Sequence, residues 1–210
     1  MNEHLDLADW RRRVAALYAD VRADPDPGPE RLAAFRAARD ELFRSHPQTP
    51  IPASERPEFG GLAYWPYDAA FRVTARLEPD PDAALSELPV STGNPLEFSR
   101  IGWVDFTVGG SVERLGVYWL AGYSGGIFIP FRDATNGQAT YGGGRYVWDT
   151  AKGADLGSEG DSLVLDFNYA YHPSCAYDSK WSCPLAPREN WLAVAIPAGE
   201  RLIHAQDGVG

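Results

Sequence analysis

A chain of 210 residues is long enough for one well-buried core and short for two, and 44% hydrophobic with 23% charged residues is the balance of a globular protein rather than a disordered one. Its formal net charge of -10 repels phosphate backbones and anionic lipid headgroups, which argues against nucleic acid and membrane surfaces as partners. Seven tryptophans, ten tyrosines and nine phenylalanines favour strands and lined pockets.

The opening stretch MNEHLDLADWRRRVAAL lacks the basic start and apolar run of a signal peptide, and no later stretch approaches membrane-spanning length, so a cytoplasmic location is expected. Leu7, Trp10, Val14, Leu17 and Val21 recur at steps of three and four, which predicts an amphipathic helix from near Asp6 to Asp24 and Pro25. DPDPGPE breaks the chain there. Pro29 and Glu30 then open a second helix whose inner face is Leu32, Phe35, Ala38, Leu42 and Phe43. The two helices form a hairpin over residues 1–46 of a single domain. Residues 47–70 are a proline-rich connector, expected to cross the surface in extended polyproline form.

From Phe71 the period changes to two, with Phe71, Val73, Ala75 and Leu77 on one side and Arg72, Thr74, Arg76 and Glu78 on the other. Alternation or a short apolar run returns at Ser99–Val108, Glu113–Tyr123, Gly126–Ala134, Ala139–Asp149, Ser162–Tyr171 and Trp191–Ala198. Strands joined by glycine-rich turns, with no helical pattern between them, predict an antiparallel barrel-like sheet over residues 71–204. The fold class is therefore α+β, mainly β, with the N-terminal helical hairpin packed on the sheet.

Asn136-Gly137 suits a two-residue type I′ turn, which would place Arg132 opposite Tyr141 and Phe131 opposite Gly142. Arg132, Tyr141 and Arg145 then share one face of the ribbon. Gly142, Gly143 and Gly144 mark either a barrel corner or a ligand pressed against bare backbone. In SLVLDFNYAY, Asp166 and Asn168 have the same strand parity, which sets a carboxylate beside an amide on one sheet face. Arg132 or Arg145 on a neighbouring strand would pair with Asp166, with Arg145 at least half buried and touching Asp166 or Asn168.

Cys175 and Cys183 flank Tyr177 and Trp181 in one proline-rich loop, close enough to be a local disulfide or a packed thiol pair. With His172 they fall short of a four-ligand zinc site, so no metal and no cofactor is expected. His172, beside Pro173, reads as a surface histidine. There is no HExxH motif.

Two stretches, FRDATNGQATYGGGRY and the Asp166 to Glu200 run DFNYAYHPSCAYDSKWSCPLAPRENWLAVAIPAGE, carry a resemblance. With GLAYWPYD ahead of the first strand, they resemble an uncharacterised bacterial and archaeal family, domain of unknown function 1684, over about Phe59 to Glu200. The resemblance implies no catalytic residues. Read from the residues, the chain binds a small polar or anionic ligand at a barrel mouth lined by Arg132, Tyr141, Arg145, Asp166, Asn168 and Tyr171. An enzyme would use Tyr171 or His172 as acid or base, with Asp166 and the arginines in support. A third reading is a protein-interaction module.

Overall fold

The computed structural model describes residues 2–83, 85–122 and 125–202. Two helices, α1 (Glu3–Arg22) and α2 (Pro29–Ser45), precede the strands β1 (Ala63–Tyr64), β2 (Arg72–Pro79), β3 (Leu85–Leu88), β4 (Leu96–Val108) and β5 (Ser111–Leu120). The strands β6 (Ile127–Phe131), β7 (Arg145–Asp149), β8 (Ser158–Glu159), β9 (Ser162–Asp166) and β10 (Glu200–Arg201) complete the order.

Asn2 caps α1 by accepting from the His4 amide, so the helix starts earlier than the apolar spacing indicates. Its buried side chains are Val14, Tyr18 and Val21, while Leu7 stays 39% exposed. α2 opens on Pro29 and buries Leu32, Phe35, Leu42 and Phe43. Ala38, expected inward, is exposed, and Arg39 takes the buried place beside it. Edge-to-face contacts of Tyr18 with Phe35 and of Phe35 with Tyr169, at 5.1 and 4.9 Å between ring centroids, tie the helices to the sheet. No described helix is long and apolar enough to cross a membrane.

The connector is not an open polyproline run. Ile51 and Leu62 pack on Phe43, and burying them folds the segment into turns and a short 3-10 turn at Arg56–Glu58. β1 pairs with β10, so the connector and the far end of the chain form a two-stranded ribbon. The other strands make an eight-stranded antiparallel sheet in the order β7-β6-β5-β4-β2-β9-β8, with β3 on β4. It curls into a half-barrel. Tyr146 and Tyr171 exchange both backbone hydrogen bonds, at 2.9 and 3.1 Å, and so bridge β7 to the chain beyond β9. The fold is thus α+β and mainly β, with one large core shared by the hairpin and the sheet.

Several local expectations are corrected. The strand expected over Ser162–Tyr171 stops at Asp166, whose side chain accepts from the Asn168 amide at 3.0 Å and turns the chain into a 3-10 turn over Phe167–Tyr169. Asp166 and Asn168 are therefore not alternate residues of one strand. Trp191–Ala198 forms no strand; within it only Trp191 bridges, in parallel, to Arg132. Nor does Asn136-Gly137 close the expected hairpin, because Phe131 faces Arg145 rather than Gly142, and Arg132 faces Trp191 rather than Tyr141. Local side chains explain it. Asn136 accepts from the Asp133 amide at 2.6 Å and donates to the Tyr141 carbonyl, and Asp133 accepts from the Thr135 hydroxyl at 2.6 Å. Those bonds occupy backbone groups that a ladder would have used. The expected ends at Tyr123 and at residues 203–204 lie outside the described residues.

Candidate ligand site

The six residues expected to line one mouth do not converge. Arg132 lies over the Trp191 ring at 3.9 Å, a cation–π contact. Asp166, fully buried, accepts from the Asn168 side-chain amide at 2.9 Å and meets Arg72 at 3.5 Å; burial pushes its carboxyl up. Asn168 staples the Asp68 backbone, accepting from its amide at 3.0 Å and donating to its carbonyl at 2.9 Å. Gly144 has φ +102, and a Cβ there would come within 2.6 Å of the Phe131 carbonyl, so the bare backbone at Gly144 meets chain, whereas Gly142 faces open space.

Arg145 is buried, at 1% exposure, but its acid is Asp133 and not Asp166 or Asn168. Its Nη2 donates to Asp133 at 2.8 Å and to the Ile196 carbonyl at 2.8 Å, while Nη1 donates to the carbonyls of Ala198 and Glu200. Both terminal nitrogens are thus committed to holding the Ile196–Glu200 backbone against β7. Asn190 performs a similar task at the β5–β6 junction, accepting from the Gly116 amide at 2.8 Å and donating to the Gly116 and Pro130 carbonyls.

A second buried charge network lies beneath α2. Glu200 accepts from Arg39 at 2.6 Å, from the His172 amide at 2.8 Å and from the Tyr177 hydroxyl at 2.8 Å. Burial alone would raise its carboxyl, yet Arg39 and the His172 amide hold it below the ordinary value. His172 is not a surface histidine: it is buried, and burial lowers its pKa to about 4. The Tyr141 amide donates to its Nε2, which leaves the ring proton on Nδ1, facing Glu200 at 3.9 Å. The ring is held neutral by burial, with Nε2 taken by the Tyr141 amide and Nδ1 beyond hydrogen-bond distance of Glu200. Tyr171 carries Arg39 over its ring at 5.0 Å, and burial pushes its hydroxyl well above the ordinary value.

Cys175 and Cys183 are buried, unbonded thiols, with the Cys175 amide 3.4 Å from the Cys183 sulfur. This is the packed-pair alternative. The hydrogen bond from Cys183 lowers the Cys175 thiol, and the same contact raises Cys183. Tyr141 leans its hydroxyl on Cys175, and burial with that contact pushes the phenol up to about 12. Among the described residues no group of three or more His, Cys, Asp or Glu could hold a metal ion.

A group of hollows lies where α1 meets the 3-10 turn after β7, apart from a shallow one of about 260 Å³ between α1 and α2. A cavity of about 200 Å³ is lined by Arg11, Phe98, Leu120, Phe128, Asp149 and Lys152. A second of about 230 Å³ is lined by Trp10, Arg11, Lys152, Ser174, Trp181 and Cys183. A third, of about 40 Å³, lies between Tyr18, Arg39, Lys152, Tyr171 and His172. Lys152 lines all three. It sits on the 3-10 turn Thr150–Lys152, which Asp149 caps by accepting from the Lys152 amide at 3.3 Å and Gly153 closes at φ +86. A Cβ on Gly153 would come within 2.9 Å of Ala15, so the glycine lets α1 rest directly on this turn. Lys152 Nζ is 3.7 Å from Asp149, a loose pairing on a side chain that is 44% exposed. Asp9 gives one oxygen to Arg12 at 2.9 Å and the other to Arg13 at 2.7 Å, which leaves Arg11 without an acid among the described residues. Trp181 Nε1, buried with no partner, belongs to the lining of the second cavity, and the Tyr18 hydroxyl, likewise unpartnered, to that of the third.

The sequence reading passes over Arg11, Arg39, Asp149, Lys152 and Glu200. Arg39 was detectable, since a charge four residues after Phe35 and three before Leu42 stands in the apolar stripe of α2. The run Asp149-Thr-Ala-Lys-Gly likewise has a capping aspartate and a closing glycine around its lysine. Arg11 gives no such signal, because only the folded pairing of Asp9 separates it from Arg12 and Arg13.

Residues 57–201 match the family described as a protein of unknown function (DUF1684). Among solved structures, the solution NMR structure of an uncharacterized protein of Haloarcula marismortui is 37% identical, covers 82% of this chain and 93% of its own, and superposes with a TM-score of 0.60. No curated protein matches the chain. The family match spans β1 to β10 and includes Arg145, Lys152 and Glu200, while α1 with Arg11 and α2 with Arg39 precede it, and the chain belongs to the DUF1684 family.

Proposed function

We propose that the protein binds a small polar or anionic ligand at the mouth of the half-barrel beneath α1, with Lys152 and Arg11 holding its charge. The observation that carries this reading is the position of Lys152, which lines three cavities, with Arg11, which meets no acid among the described residues, lining two of them. A chain of net charge -10 that places two cations on one cleft attracts an anion there against its own overall field. The loose contact with Asp149 leaves Lys152 free to turn its ammonium donors to a ligand oxygen. Two unbonded thiols agree with a cytoplasmic setting, where thiols stay reduced.

Calorimetric titration with inorganic phosphate, acetate, benzoate and hexanoate tests the reading, on the wild type and on an Arg11→Ala, Lys152→Ala double variant. At least one anion should saturate a single site, and the double variant should weaken it by about tenfold or more, the loss expected for charge-assisted hydrogen bonds. No saturable binding of any of the four, or unchanged affinity in the double variant, overturns it.

A further inference from the structure

The geometry points to a small amphipathic monocarboxylate as the ligand of this cleft, an inference that rests on the anion site proposed above. The cavity shared by Arg11 and Lys152 is polar at one end and apolar at the other. Its apolar wall is Phe98 of β4, Leu120 of β5 and Ile127 and Phe128 of β6, three strands that are neighbours in the sheet. Phe98 and Phe128 are buried rings 5.3 Å apart, and Phe128 meets Tyr146 edge-on at 4.7 Å, so they form a packed backing before any ligand arrives, and the apolar surface in reach of water is that of Leu96, 41% exposed, and the half-buried Leu120 and Ile127. Inorganic phosphate or a sugar acid would leave that wall uncovered. An alkyl or aryl body would cover it and release the water there.

The charge of the head follows from the groups that face it. Arg11 and Lys152 supply two positive charges and Asp149 one negative, so the polar end carries one positive charge in total. Arg39, on the adjoining small cavity, adds nothing, because Glu200 neutralises it at 2.6 Å. A carboxylate balances that charge. A phosphate dianion would leave one negative charge beside Asp149, in a chain already at -10. At the ~30 Å³ that a water-sized group occupies, the cavity of about 200 Å³ holds a body on the order of six to eight non-hydrogen atoms.

Titration calorimetry with the unbranched carboxylates from acetate to decanoate, together with hexanol, hexylamine and inorganic phosphate, tests the inference. Affinity should rise by about fourfold per methylene and level off once the chamber is full. Hexanol and hexylamine should bind at least about tenfold more weakly than hexanoate. Leu120→Asn and, separately, Leu96→Asn on the more exposed rim should flatten the dependence on chain length. Acetate and hexanoate binding with equal affinity would overturn the amphipathic ligand while leaving the anion site standing. Phosphate binding more tightly than every carboxylate would overturn the single-charge argument alone, and hexanol matching hexanoate would overturn the need for a charged head. Silence from every anion would remove the site itself.

Discussion

The Arg145 guanidinium donates to one carboxylate and to three carbonyls of the segment that leads into β10, inside a wall of Trp65 and Phe131 at 5.2 and 5.0 Å. Truncating it strands the buried Asp133 carboxylate and those carbonyls, so Arg145→Ala should cost about 3–5 kcal/mol of stability in urea unfolding. The folded fraction should keep its anion affinity, because Arg145 does not line the cleft; loss of binding with unchanged stability would reverse both statements. His172 provides a pH test. Its folded pKa of about 4 lies below the ordinary 6.5, so the unfolded chain takes up a proton first as pH falls, and the stability present above pH 6.5 is lost progressively toward about 4. Glu200, also depressed, adds to that loss below its ordinary value, whereas the raised Asp166 acts in the opposite sense. Unfolding free energies from urea titrations between pH 7.5 and 4.5 should fall by up to about a few kcal/mol, and His172→Gln should flatten the fall; a profile level across that window would place the histidine in water. Burial of Arg145 was legible in the apolar company of RYVWD, but its partner was not. Which acid reaches it depends on the path of residues 132–144, and that path is set by side-chain bonds of Asp133 and Asn136 that no periodicity records.

Elements were legible in proportion to the regularity of their apolar pattern. α2 and β4 follow from spacing, since one face of each meets the core and the other meets water, and β5 follows from its short apolar run, buried on both faces from Leu115 to Tyr118. β9 was overextended because Asp166 caps its own successor, and Trp191–Ala198 looked like a strand because Leu192, Ile196 and Ala198 turn inward at even spacing along an irregular segment fastened by Arg145, Asp133 and Asn190. Lys152 was missed for a related reason. A one-turn element leaves no period, and its importance comes from α1 resting on it. Gly153→Ala tests that dependence, since the added Cβ meets Ala15 and the residue must hold φ +86. The variant should lose about 1–3 kcal/mol and weaken the anion site as α1 lifts from Lys152. Wild-type stability together with wild-type affinity would mean that helix and turn do not position each other.

At the scale of the molecule, the half-barrel is joined across its seam by the Tyr146–Tyr171 pair, and α1 and α2 cover the side beside that seam. A curled sheet with side chains filling its interior has no lumen to offer a ligand, so the accessible hollow lies at the rim, where a helix crosses it. This is why the mouth expected from Arg132, Tyr141, Arg145, Asp166 and Asn168 is instead distributed through packing roles, while Tyr171, His172 and Cys183 among the singled-out residues touch the cleft. The most direct measurement is a two-dimensional amide NMR titration of the whole chain with sodium hexanoate. The account predicts saturable shifts concentrated at Arg11, Leu120, Ile127 and the Asp149–Gly153 turn, with Arg132, Asp166 and Asn168 unmoved. Shifts centred on Arg132, Asp166 and Asn168, or none that saturate, would contradict it.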